Sequence, residues 1–151
     1  MSLIEQLNAD LKTALRAGDE TRRNALRLLL AAIKQAEVDR RATSAVLSED
    51  DVLAVIQKEA KARRESIADA QKAGRPDLVA ANEAELSLIE SYLPQQLSRD
   101  ELVEAARAAI AEAGAADARQ MGAVMKLLSP RTKGRADGKL VNEIVRELLS
   151  R

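Results

Sequence analysis

Most stretches of apolar residues in this chain recur at helical spacing, open on a capping residue and close on a stop signal, and that punctuation leaves little room for strands. Ser2 and Glu5 are spaced as a capping box ahead of Leu3, Ile4, Leu7, Leu11 and Leu15, and Gly18 ends that stretch. Asp19 is placed to cap a second helix reaching Arg40, whose Leu26, Leu28, Leu29, Leu30 and Ile33 are apolar over more than one face, as in a central helix. Residues 41–47 lack periodicity. Ser48, Glu49, Asp50 and Asp51 then form an acidic first turn, suited to the positive end of a helix dipole, for a third helix running to Ala73 with Gly74 behind it. Pro76 opens a fourth helix, Leu86, Ile89 and Leu93 supply its buried face, and Pro94 is expected to stop it. A second capping box, Ser98 with Glu101, starts a fifth helix ending at Gly114. Asp117 is expected to cap a sixth, interrupted at Pro130, and Asp137 a seventh bearing Leu140, Val141, Ile144, Val145 and Leu148.

The expectation is an all-α protein of two helical modules, residues 1–94 and 95–151, divided at the short link Pro94, Gln95, Gln96, Leu97. The third and fourth helices are expected to form a long hairpin, and the last three helices a minimal core. With Tyr92 as the single aromatic residue, those cores must be built from Leu, Ile, Val, Met and Ala.

Composition then removes whole classes of function. Lys plus Arg and Asp plus Glu both number 24, so no global field attracts polyanions and any electrostatic partner must meet a local patch. Cysteine and histidine are both absent, which withdraws thiolate nucleophiles, the commonest general base and the usual metal ligands. Catalytic, metal and cofactor sites are therefore not expected, and Gly134 and Gly138 lack the spacing of a Walker-type phosphate cradle. Carboxylate pairs such as Glu83 with Glu85 are read as solvated surface. No apolar run approaches the ~18 residues that span a bilayer, and no secretory leader pattern opens the chain, so a cytoplasmic protein without membrane contact is expected.

Two charged stretches remain. Along the third helix, Glu59 with Arg63 and Lys61 with Glu65 are spaced for pairing one turn apart, as on a solvated, salt-bridged face. Arg22, Arg23 and Arg27 repeat that ambiguity on the second helix. The carboxy-terminal stretch is different: between Asp117 and Arg151 eight cations face four acids. Arg119, Lys126, Arg131, Lys133, Arg135 and Lys139 are the candidate nucleic-acid-binding residues, with Lys133, Arg135 and Lys139 gathered around two glycines and a helix amino terminus. Such a terminus offers N–H groups to an anion, and flanking cations add phosphate contacts. The alternative is a polar turn whose glycines only permit tight folding, with Lys139 paired to Glu143; these residues leave both readings open. With no aromatic platform for unstacked bases, the RNA partner would be recognised by phosphates and shape, as a transfer RNA could be, and no DNA partner is expected.

Leu26-Arg27-Leu28-Leu29, Gln57-Lys58-Glu59, Arg63-Arg64-Glu65-Ser66-Ile67, Tyr92-Leu93-Pro94-Gln95-Gln96-Leu97 and Lys133-Gly134-Arg135-Ala136-Asp137-Gly138-Lys139, in this order from end to end, resemble the YqeY family. That family is similar to the carboxy-terminal tail of the B subunit of the tRNA-dependent aspartyl/glutamyl amidotransferase, and related domains are appended to some glutaminyl-tRNA synthetases. The resemblance implies a two-part helical fold and a link to tRNA. It does not carry over the active site of that carbon–nitrogen ligase, which uses glutamine as amide donor, because the chemistry of the ligase resides elsewhere. The reading is a stand-alone tRNA-binding or tRNA-enzyme accessory module, non-catalytic alone. Its rivals are a module that docks on an amidotransferase or synthetase without touching RNA, and a subunit contributing to amide transfer.

Overall fold

The computed structural model describes residues 1–41 and 46–151. It is all-α, with seven helices among the described residues: α1 (Leu3–Ala17), α2 (Glu20–Arg40), α3 (Glu49–Lys72), α4 (Pro76–Glu90), α5 (Arg99–Ala113), α6 (Met121–Thr132) and α7 (Gly138–Leu149). Most boundaries follow local chemistry. Ser2, Ser48 and Ser98 each accept a hydrogen bond from the backbone three residues on, while Glu5, Asp51 and Glu101 reach back to the cap, so all three capping boxes close. Gly18 and Gly114 end α1 and α5 in the left-handed conformation that releases the chain from a helix.

Three boundaries differ from expectation. The fourth helix ends at Glu90 and a turn carries the chain to Pro94, with Tyr92 N–H donating to Ile89 O and Leu93 N–H to Glu90 O. Asp117 caps a single 3-10 turn, Ala118–Gln120, and α6 begins only at Met121. Pro130 does not interrupt α6, which runs on to Thr132. A proline so close to a carboxy terminus removes one internal bond, and buried Thr132 holds the last turn through its hydroxyl, 3.3 Å from Leu128 O. Part of the aperiodic stretch after Arg41, residues 42–45, lies outside the described residues.

Two compact units divide the chain, Met1–Leu93 and Pro94–Arg151. In the first, α2 packs against α1, α3 and α4, as its wide apolar surface requires. Leu26, Leu29 and Ile33 of α2 are buried with Leu7, Ala14, Val52, Ile56, Ala60 and Ile89. The α3–α4 pair is a helical hairpin, and its charged residues reach further than the one-turn spacing suggested. Arg63 Nε lies 2.8 Å from Glu85 Oε2, at an angle too bent for a hydrogen bond, and Arg64 Nη2 lies 2.7 Å from Glu90 Oε1. The arginines therefore tie α3 to α4 instead of pairing along α3, and Glu85 belongs to that seam and not to plain solvated surface.

Near the end of the same unit, the Tyr92 hydroxyl donates to Asp10 Oδ2 on α1, and the Arg22 guanidinium of α2 weakly opposes the effect of that carboxylate on the phenol. Burial, then the Asp10 carboxylate, push the phenol up to about 12. Arg40 closes the α2–α3 connection by a bidentate pair with Asp51, at 2.9 and 3.2 Å.

The second unit packs α5, α6 and α7 around Leu102, Ala106, Ala109, Val124, Leu128, Val141, Ile144, Val145 and Leu149. All are aliphatic, and the small Ala106 and Ala109 of α5 leave room for the larger Leu and Ile side chains of the other helices. Among the described residues no helix is long and apolar enough to cross a membrane.

Candidate functional site

The basic loop between α6 and α7 is built from the last turn of one helix and the first turn of the next. Lys133 directly follows the last residue of α6 and leaves the helix with φ −58° and ψ 123°, so the chain turns sharply there. Gly134 follows at φ 73°, the left-handed region that a side chain strains, and it is buried. Arg135 N–H and Ala136 N–H then fold back onto Thr132 O, at 2.9 and 3.1 Å. The loop is thus a closed turn with a fixed path. Gly138, by contrast, is the first residue of α7, lies outside the left-handed region and is exposed, so its freedom is not needed for turning.

A second segment holds this loop from outside. Leu97 N–H donates to Arg135 O at 2.9 Å, and Arg135 Nε donates to Gln95 O at 3.0 Å. The Gln96 amide nitrogen bridges two carbonyls, Gly134 O at 2.8 Å and Pro94 O at 2.9 Å. The Pro94 ring packs over Gly134, 3.6 Å from where a β-carbon would stand. Residues 94–97, read from sequence as a link between modules, are therefore a strap fastened along the basic loop. That role is invisible locally, because the bonds join positions 38 and 40 residues apart. Only the occurrence of both stretches among the characteristic motifs hinted at a connection.

The six candidate cations fall into different situations. Lys133, Arg135 and Lys139 lie together on the loop and in the first turn of α7. Lys133 and Lys139 are exposed, and Arg135 is half-buried against the strap. Lys126 is exposed midway along α6, two turns before Lys133 and about 10 Å from it along the axis. Arg119 sits in the 3-10 turn with its guanidinium 3.0 Å from Asp117, whose carboxyl that contact holds below the usual range. Arg131 is paired with Glu112 of α5, which raises its already high pKa. Arg119 and Arg131 are thus each set against an acid, whereas among the described residues no ion pair engages Lys126, Arg135 or Lys139. Lys139 accordingly does not pair with Glu143, although their spacing permits it.

The start of α7 is less open to anions than its sequence suggests. Asp137 caps the helix, its Oδ1 accepting the Lys139 N–H at 3.2 Å, so the protein's own carboxylate occupies that terminus. Affinity for an anion must come from the side-chain cations. Elsewhere, a shallow groove of about 420 Å³ lies at the tip of the α3–α4 hairpin, lined by Ala70, Gly74, Pro76 and Val79 among others. Arg75 at its edge is bonded in bidentate fashion to Asp77. Among the described residues no three acids gather closely enough to hold a metal ion.

The joining of residues 94–97 with the Lys133–Lys139 motif inside the second unit makes the family comparison informative. The family model of the Yqey-like proteins matches residues 4–149. The chain belongs to the YqeY family. The Yqey-like match takes in both units, and with them the strap and the loop. Curated relatives are fungal proteins named altered inheritance of mitochondria protein 41, mitochondrial. That of Eremothecium gossypii is 38% identical over 60% of this chain and 48% of its own length. That of Vanderwaltozyma polyspora is 36% identical over 58% and 46%. That of Pyrenophora tritici-repentis is 28% identical over 97% and 81%. The chain thus spans about half the length of two of these Yqey-like relatives and most of the third.

Proposed function

We propose that this protein is a tRNA-binding or tRNA-enzyme accessory module whose contact with RNA is the strapped loop of the second unit. The observation that carries the reading is the conjunction of a fixed backbone and cations that no acid among the described residues offsets: Arg135 and Lys139, with Lys133 exposed beside them. A turn that solvates itself has no need of a second segment bonded along its length. Preorganised cations lose little entropy on meeting phosphates, and that favours binding over mere solubility.

The chain has no thiol or imidazole for amide transfer, so the ligase chemistry of the similar amidotransferase is not part of the proposal. An accessory role beside such an enzyme or a synthetase is part of it. The names of the fungal relatives place those proteins in mitochondria. For this chain the cytoplasm is proposed, and a phosphate-binding loop would serve equally in either compartment.

Lys133→Glu combined with Arg135→Glu tests the reading. The double variant should weaken binding of purified tRNA and flatten its salt dependence, by roughly one unit of slope for each phosphate that is no longer neutralised. Unchanged affinity and slope would remove the loop from the interface. Retention of an amidotransferase or synthetase after nuclease treatment, with no retention of tRNA, would instead favour docking on protein.

A further inference from the structure

We propose that Gln96 is a positioning residue of the phosphate-binding loop, acting through the backbone of Gly134 and carrying no contact with RNA itself. The inference rests on the loop being the RNA contact, as proposed above, and goes beyond it by naming what sets the loop's geometry. A primary amide is well suited to this task. One Gln96 Nε2 donates to Gly134 O and Pro94 O at 2.8 and 2.9 Å, joining the two sides of the strap and loop through a single group. Gly134 is the position that needs holding, since its left-handed backbone joins Lys133 to Arg135 and so orients the two cations together. The neighbouring Gln95 differs: it contributes a backbone carbonyl to Arg135 Nε, and its side chain is exposed.

The two glutamines therefore separate by experiment. The full-length chain is compared with Gln96→Met, which keeps length and loses both donors, and with Gln95→Ala as control. Gln96→Asn, which keeps the amide but shortens its reach, replaces Gln96→Met should that variant not fold. Measured against purified tRNA below the unfolding transition, Gln96→Met should bind about fivefold to tenfold more weakly, the scale of one or two hydrogen bonds removed. Its salt slope should match the wild type, because the same cations still reach the phosphates once bound. Amide exchange at Leu97 N–H, which is bonded to Arg135 O, should quicken, and Gln95→Ala should change none of these.

Faster exchange at Leu97 without loss of affinity overturns the positioning role, and so does an altered salt slope, which would make Gln96 part of the contact. Equal weakening in both glutamine variants overturns it as well. Failure of the wild-type chain to bind tRNA is seen before any variant is compared, and that result removes the underlying interface.

Discussion

Gly134 and Gly138 look alike in the sequence and make opposite demands. At Gly134 a β-carbon would find ordinary contact distance to Pro94, so backbone conformation and not space is what excludes a side chain. Gly134→Ala should cost roughly 1–2 kcal/mol, the penalty of the left-handed region, seen as a lower midpoint in denaturant unfolding. Gly138 has open space around it and a helical backbone, so Gly138→Ala should be neutral or stabilise by about 0.5 kcal/mol in the same measurement. Tyr92 makes a third demand. Its phenol is held neutral up to about 12, above the ordinary value of 10.0, so its contribution to stability is complete below pH 10 and is lost as pH rises towards 12. With a single tyrosine and no tryptophan, the phenolate absorbance of the folded chain reports this group alone. Titration at the ordinary value would remove the assigned burial and Asp10 contact. Tyr92→Phe should lose about 1 kcal/mol and the part of the alkaline destabilisation that belongs to this phenol.

Among the helices, the start of α3 is the place where charge and capping meet. The Asp51 carboxyl is held below its ordinary 3.8 by the Ser48 N–H, then by the Ser48 hydroxyl and the Arg40 guanidinium. A depressed acid stabilises the fold above its unfolded pKa and loses that contribution as pH falls through the folded one. Asp51→Asn should therefore be less stable than wild type at neutral pH, with the gap closing as pH falls well below 3.8, as urea unfolding at the two conditions would report. An equal gap in acid would mean that the contribution is packing and not charge. The Ser2–Glu5 and Ser98–Glu101 capping boxes were readable in advance, because each is a contact between residues three apart, whereas at Ser48 the sequence showed an acidic first turn and the structure added the box. The seam between α3 and α4 was not readable. Arg63 had an acid, Glu59, at the right spacing along its own helix and Arg64 had none, yet Glu85 and Glu90 came within reach of the two arginines only once the hairpin folded back.

Across the whole chain, each unit encloses its own aliphatic core, and the strap belongs with the second. A fragment beginning at Pro94 should accordingly keep helical circular dichroism and unfold cooperatively, whereas one beginning at Ser98 should be less stable by roughly 1–3 kcal/mol, for want of the bonds to Gly134 and Arg135. Equal stability would mean that residues 94–97 are only a tether. The amino-acid order by itself determined the helical class and nearly every helix start, since caps, glycines and apolar periodicity act over three or four residues. It also located the basic stretch around Lys133, Arg135 and Lys139. Asp117 is near enough in sequence to offset Arg119, but only the tertiary structure set Arg131 against Glu112, 19 residues away, while leaving Arg135 and Lys139 outside any ion pair among the described residues. It alone turned an expected link into a strap, because a hydrogen bond from Gln96 to Gly134 depends on where three helices place two loops, and no local preference encodes that distance.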